Sequence, residues 1–333
     1  MSSFGSRMTR MRLRLRLPAI ALAVLIFGPE VAFAQAYPER PVRIVVPSPP
    51  GGGYDFIGRL LAERMSPGLG QPMVVDNRTG GGTLAGTQAV ATAAPDGYTL
   101  VVGGLANLAF NPVMFGKPGY SAADFVPVAL VASFTYALVG RADLPYKTLK
   151  EVIDHARANP GKLTIATAGT GSGQHISAVL LKRLAKVDIL EVPFKGAQAA
   201  YTEVIGGRVD LFFDNTTTAR PLVEGGRVKA YTTSGSQRDA LLPNVPTGRE
   251  AGLEGLEIDS WIGLFAPART PAAVIERLRV TLKKAADEAE TRKRLEAGGW
   301  RAIAQTPAET TRFVATEIDR WTTFLRQAGI KAD

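Results

Sequence analysis

The sequence predicts an α/β protein built as two lobes around mainly parallel sheets. Three observations predict it. Strand-like and helix-like patterns alternate along most of the chain. A strand that runs into a Gly-rich loop and straight on into a helix occurs twice, once near residue 50 and once near residue 170. Two long extended apolar runs, 125–139 and 256–267, stand where the chain would cross from one lobe to the other and return.

The elements follow in order. Residues 42–47 read as a strand and 55–65 as a helix ending near Gly68. Then come a strand at 73–75, a helix at 86–93 and a strand at 98–102 before the first crossing. Thr148-Leu149-Lys150-Glu151 has the spacing of a capping box and opens a helix that stops before Asn159-Pro160-Gly161. A strand at 163–167 leads through the second Gly-rich loop to a helix at 175–186. A strand at 189–194, a helix at 197–205 closed by Gly206-Gly207, and strands at 209–213 and 228–233 complete the block. After the return crossing, Thr270 caps and Pro271 opens a helix at 272–288. Thr306-Pro307-Ala308-Glu309 starts the last helix, whose Phe313, Val314, Ile318, Trp321, Phe324 and Leu325 form a core-facing stripe. The crossings predict a discontinuous first lobe, 37–138 plus 258–333, and a continuous second lobe, 139–257, joined by a hinge suited to closure on a ligand.

The ends and the composition narrow the function classes. Arg7, Arg10, Arg12, Arg14 and Arg16 precede an apolar run at 17–27, and Ala32-Phe33-Ala34 is a cleavage pattern. This reads as a secretory signal peptide over 1–34, cleaved after Ala34. The run is too short for a spanning helix, which needs about 20 residues. There is no Cys, which excludes disulfides, thiolate metal sites and a lipid-modified N-terminal Cys. The expected place is therefore free in the periplasm. The formal charge of +9 falls to about +5 without the leader, and no Lys/Arg run interleaved with aromatics follows it, which argues against nucleic-acid binding. The two His residues show no metal-ligand spacing, so no metal and no cofactor is expected.

Two loops carry the candidate chemistry. The first is Pro50-Gly51-Gly52-Gly53-Tyr54-Asp55 and the second Ala168-Gly169-Thr170-Gly171-Ser172, continued by Gly173. A Gly-rich loop at a helix start aims free backbone N–H groups and the positive end of the helix dipole at one spot, which suits an anion. The competing reading is a turn that needs Gly for sterics alone. Asp55 reads as a cap or first-turn residue, and His175 either as a first-turn hydrogen bonder or as a ligand contact. Asp214 ends the strand at 209–213. Neither loop is a dinucleotide fingerprint or a Walker loop, and no G-x-S-x-G elbow supports a Ser172–His175–Asp214 triad. An enzyme and a nucleotide binder are thus the weaker readings. Tyr54 and Trp261 either wall a pocket or pack.

In order, Tyr37-Pro38-Glu39-Arg40-Pro41, Pro50-Gly51-Gly52-Gly53-Tyr54-Asp55, Ala94-Pro95-Asp96-Gly97-Tyr98-Thr99-Leu100, Asn111-Pro112, Gly169-Thr170-Gly171-Ser172, Val192-Pro193-Phe194-Lys195-Gly196, Phe213-Asp214-Asn215 and Trp261-Ile262-Gly263-Leu264-Phe265-Ala266-Pro267 form a specific set. With these landmarks the chain resembles the tripartite tricarboxylate transporter receptors, also called the Bordetella uptake gene (Bug) family. The resemblance covers essentially the whole mature chain. It implies a periplasmic binding protein of the type II, Venus-flytrap kind, with two Rossmann-like lobes joined by two crossover strands. It implies capture of a small carboxylate (a di- or tricarboxylate, or an aromatic acid) and delivery to a carrier made of one large and one small integral membrane subunit. Some members of the family signal instead, so a periplasmic sensor acting on a kinase is the alternative. A monomer is expected by analogy. The resemblance maps ligand contacts onto Gly51 to Asp55 and Ala168 to Ser172, with His175 and Asp214 as neighbours. Three stretches depart from the family's pattern: Ser48-Pro49-Pro50, Tyr54 in place of a small residue, and Gly103-Gly104-Leu105-Ala106-Asn107. Tyr54 is expected to favour a flat aromatic acid or to shrink the pocket.

Overall fold

The first half of the chain is β1 (Val42–Val46), α1 (Gly53–Leu69), β2 (Met73–Asn77), α2 (Leu84–Ala91) and β3 (Thr99–Gly104), followed by a π-helical turn (Ala106–Phe110), α3 (Asn111–Met114) and the long β4 (Phe125–Arg141). The middle is α4 (Leu149–Ala158), β5 (Thr164–Thr167), α5 (Gly173–Ala185), β6 (Leu190–Pro193), α6 (Ala197–Ile205), β7 (Leu211–Asn215), α7 (Thr216–Glu224) and β8 (Val228–Thr233). The chain ends with β9 (Asp259–Pro267), α8 (Ala272–Asp287), α9 (Ala289–Ala297), β10 (Arg301–Ala302) and α10 (Pro307–Ala328). This computed structural model describes residues 37–331. The signal peptide and its cleavage point lie outside the described residues. No helix among the described residues is long and apolar enough to cross a membrane.

The strands join in the order β2-β1-β3-β9-β4-β7-β5-β6, with β8 and β10 also on β4. β1 runs parallel to β2 and β3, and β5 parallel to β6 and β7. The expectation of mainly parallel pairing is corrected at the centre. There β9 is antiparallel to β3 and β4, and β4 is antiparallel to β7 and β8. The reason is the 17-residue β4 itself. Up to Thr135 it pairs with β9, and from Tyr136 onward with β7 and β8, so one strand serves both halves of the sheet. A strand that leaves one parallel stack and enters another is free to run against both.

Helix ends show where local signals fail. α1 runs through Pro67 and stops at Gly70, which takes the left-handed conformation (φ 74°) and closes the helix on the Ser66 carbonyl. Gly68 therefore sits inside the helix, not at its end. Pro271, not Thr270, is the cap of α8, and the Thr270 hydroxyl has no hydrogen-bond partner. At Thr148 half the box forms: its side chain accepts from the Glu151 amide at 3.2 Å, but Glu151 reaches back to the Lys147 amide instead. The Thr306–Glu309 box is complete. The α10 stripe buries Val314, Trp321 and Leu325, with Trp321 edge-on to Phe110 at 5.1 Å. A second cluster, around Phe212, Tyr201 and Val139, fills the space under α6 and α7.

Candidate functional site

In the first loop Gly51 has φ 86°, a conformation open to Gly at little cost, and α1 starts at Gly53 after the cap residue Gly52, which has no side chain to offer. Asp55, four residues beyond Gly51 and buried, reaches back to the loop. Its Oδ2 accepts from the Gly51 amide and from Arg59 Nε, both at 2.9 Å, and its Oδ1 accepts from Asn77 Nδ2 at 2.9 Å. Burial alone would raise its pKa, but the Arg59, Gly51 and Asn77 hydrogen bonds outweigh that and hold the carboxyl below its ordinary range. The amides of Gly52, Gly53 and Tyr54 bond to no other described residue. Asp55 thus braces the loop through Gly51 and leaves these three amides unbonded.

The second loop repeats the plan with different chemistry. Gly169 (φ 107°) and Gly171 (φ 80°) turn the chain, and Ser172 caps α5 by accepting from the His175 amide at 3.2 Å. His175, four residues beyond Gly171, takes the Gly171 amide on Nδ1 at 3.3 Å. Its Nε2 meets Glu191 of β6 at 3.2 Å, and Lys182 meets the other Glu191 oxygen at 2.7 Å. An Nδ1 that accepts leaves the proton on Nε2, facing Glu191. The His175 hydrogen bond, then Lys182, outweigh burial and bring Glu191 down to about 2. The amides of Thr170, Gly173 and Gln174 bond to no other described residue.

The two loops are linked through aromatic rings. A Cβ on Gly173 would sit 1.9 Å from the Tyr136 hydroxyl, and a Cβ on Gly53 would sit 2.9 Å from the Trp300 ring. Phe134 bridges the two, edge-on to Tyr136 at 5.2 Å and to Trp300 at 4.8 Å. Each helix therefore opens on a glycine because an aromatic ring from or beside β4 fills the space a side chain would need. Trp300 carries no sequence signal for this place. Trp261 packs on Phe265 and Phe313 in the core.

Tyr54 meets the end of β3 and the turn that follows it, the two places where the sequence reading expects a departure from the family's pattern. The Tyr54 hydroxyl donates to Asn107 Oδ1 at 3.2 Å, and a Cβ on Gly104 would lie 2.8 Å from that hydroxyl. Asn107 is fully buried, and its Oδ1 also accepts from the Gly104 amide at 2.8 Å. Burial pushes the Tyr54 phenol up, so it stays a neutral donor.

A third loop of the same kind has no place in the sequence reading. β2 runs through Gly80-Gly81-Gly82 into α2, with four consecutive positive φ values from Gly80 to Thr83. Asn111 holds it, donating to the Gly82 carbonyl and to Thr83 Oγ1 (2.8 Å). It reaches the second loop: a Cβ on Gly82 would sit 3.2 Å from the Thr170 carbonyl, and one on Gly171 would sit 2.9 Å from Asn111 Oδ1. The signal was available as a third strand, Gly run and helix in succession.

Asp214, the residue before the last of β7, is buried next to the second loop, with Oδ1 accepting from Gln174 Nε2 at 3.1 Å. Pro50 and Ala168 flank the glycines of their loops, and Gly52 and Thr170 are exposed. No group of three or more His, Cys, Asp or Glu among the described residues is placed to hold a metal ion. Two surface concavities, between α1 and α8 and between α6 and α7, include no residue of the three loops.

Comparison with known proteins shows the fold and the family. The family model described as the tripartite tricarboxylate transporter family receptor matches residues 57–330. A Pseudomonas sp. (strain P51) protein, the UPF0065 protein in the tcbD-tcbE intergenic region, is 36% identical over 319 residues, 95% of each chain. Among solved structures, the periplasmic binding protein BugD is 33% identical with a TM-score of 0.79 over 89% of this chain and 100% of its own. MatC from Rhodopseudomonas palustris, with bound malate, is 37% identical with a TM-score of 0.78 over 86% and 99%. Rpa4515 from R. palustris, with adipate, is 33% identical with a TM-score of 0.80 over 89% and 99%. The fold is that of the periplasmic binding proteins, and the chain belongs to the tripartite tricarboxylate transporter family of receptors.

Proposed function

We propose that this protein is a periplasmic receptor that captures a small carboxylate between its Gly-rich loops and delivers it to the integral membrane subunits of a tripartite carrier. The observation that carries the reading is the set of free, preorganised amides at Gly52, Gly53 and Tyr54 and at Thr170, Gly173 and Gln174. Amides held in place before the ligand arrives lose little order on binding. Charge-assisted hydrogen bonds contribute about 1.5–3 kcal/mol each, and a micromolar complex needs about 8 kcal/mol. Four such bonds, with helix termini behind them, reach that without an arginine clamp. The lobes are 37–138 plus 258–333 and 139–257, hinged at β4 and β9. Asp55 and His175 act by holding the loops, and the contacts come from the backbone, Tyr54 and the Ser172 side of the second loop. The mature chain binds as a monomer and does no chemistry on its ligand.

The malate and adipate held by similar receptors make aliphatic dicarboxylates the first class to test. A thermal-shift screen of the mature chain with malate, adipate, citrate and benzoate, beside their neutral amides, decides the reading. A ligand at about 100 times its Kd adds about 2.7 kcal/mol of stability. A shift with an acid and none with its amide is the expected result. Equal response to acid and amide, or none to any acid, overturns it.

A further inference from the structure

Asp214, beside the second loop, forms no ion pair with any described residue. It is 2% exposed, and while Oδ1 accepts from Gln174, Oδ2 has no hydrogen-bond partner. The groups that face it from neighbouring elements are neutral. Tyr201 of α6 lies against it but outside hydrogen-bonding geometry, its own hydroxyl unpartnered, and Tyr136 of β4 faces it as well. Of the charged or titratable groups around, Asp239 is held by Thr135, Thr216 and the Leu241 amide, and His175 is turned to Glu191. No Lys, Arg or His among the described residues lies within ion-pair distance of Asp214. Burial, only partly offset by Gln174 and the Asn215 amide, pushes the carboxyl up to about 6.

Gln174 links this acid to the site. It is the second residue of α5, so the side chain that donates to Asp214 belongs to the same residue whose free amide faces the loop. An anion received at that helix start brings a second negative charge toward an acid with no cation to offset the first. Like charges in a dry setting disfavour the state in which both are ionised. Building on the receptor reading above, we infer that Asp214 is a proton-linked positioning residue: a carboxylate that enters the second loop is accompanied by one proton, taken from solvent onto Asp214. The neutral acid keeps Gln174 in place through Oδ1 and carries its proton on Oδ2, the oxygen that has no partner in the charged form.

Calorimetry of the mature protein with malate and with adipate, from pH 6 to 8 in two buffers of different ionisation enthalpy, measures the protons taken up. The wild type is expected to take up a proton on binding, with affinity falling toward tenfold per pH unit over that range. Asp214→Asn is expected to bind without uptake and with a flat profile. Ligand binding with no proton uptake, or uptake unchanged in Asp214→Asn, overturns the inference. A ligand-free arm separates it from the receptor reading. A carboxyl raised in the folded state stabilises that state less as pH rises from the ordinary carboxylate range through 6, so the wild type should lose Tm relative to Asp214→Asn over that interval. Silence toward every acid with that slope present defeats the receptor reading, whereas a Tm difference flat in pH defeats the role of Asp214. Should Asp214→Asn fail to fold, Gln174→Leu removes the side-chain donor and should move the wild-type pH profile upward; an unmoved profile counts against the inference.

Discussion

The two Gly-rich loops share one backbone device and differ in what secures it. In each, a glycine of positive φ gives its amide to a side chain four residues on, in the first turn of the helix: Gly51 to Asp55, and Gly171 to His175. In each, the helix opens on a glycine pressed against an aromatic ring. The first brace is a buried carboxylate tied to Arg59 and Asn77. The second is an imidazole backed by Glu191 and Lys182. A carboxylate held below its ordinary range keeps its charge through the neutral region. The first loop is thus a fixed anchor, and the second rests on a longer relay of side chains, with the buried Asp214 beside it.

The largest expected effect breaks the anchor. Asp55→Ala removes three hydrogen bonds to a buried carboxylate. Arg59 is more than half exposed and contributes little, so the loss is set by Gly51 and Asn77, about 2–4 kcal/mol at neutral pH. Because the folded-state pKa of Asp55 is lowered, its contribution is present above the ordinary carboxylate range and disappears as pH falls through the folded value. Chemical denaturation of the variant at pH 7 and at pH 3 checks both points: the difference from wild type should be large at the first and small at the second. A difference independent of pH would mean that Asp55 acts by packing alone.

The aromatic props come next. Gly173→Ala should cost about 1–3 kcal/mol, the usual range for overpacking, because the buried Tyr136 has to move. Gly53→Ala should cost less, since its Cβ would meet the Trp300 ring at 2.9 Å against 1.9 Å at Tyr136. Melting temperatures of the pair rank the two props. The reverse order would show that the first loop is the tighter of the two.

His175→Ala tests the brace of the second loop. Freeing the Gly171 amide and unpairing one side of Glu191 should cost about 1 kcal/mol of stability and lower the affinity for a captured acid by up to about tenfold, as the loop loses its order. His175→Asn, which keeps an acceptor in the first turn, should recover part of the affinity. Equal affinity in all three proteins would remove His175 from the site.

How far these parts are legible in the sequence follows from the range of the forces. β8 and α6 end where the sequence places them, because Gly206-Gly207 and the apolar runs act within a few residues. α1 starts two residues before its sequence reading because its cap is Gly52, which has no side chain to signal. α7 has no counterpart in that reading: Thr216-Thr217-Thr218 and Pro221 argue against a helix, and tertiary packing overrides them. The loops themselves are plain from composition. Their braces are not, since Asn77 lies 22 residues from Asp55 and Glu191 lies 16 from His175. The Gly80–Thr83 loop carries the same signal as the other two, between the strand and the helix that the sequence reading places at 73–75 and 86–93.

The smallest expected effect sharpens the comparison at the point where Tyr54 of the first loop meets the end of β3. Tyr54→Phe loses one hydrogen bond to Asn107, worth about 0.5–1.5 kcal/mol. Gly104→Ala should cost more, because its Cβ would meet both the Tyr54 hydroxyl at 2.8 Å and the Trp261 carbonyl at 2.7 Å. In the double variant the first clash is gone and the second stays. Gly104→Ala should therefore cost less in the Tyr54→Phe background than in the wild type, by a coupling of about 0.5–3 kcal/mol, the range for residues in contact. A four-point denaturation cycle reads that coupling. Additive losses would mean that the Tyr54 hydroxyl has room to turn away from Gly104.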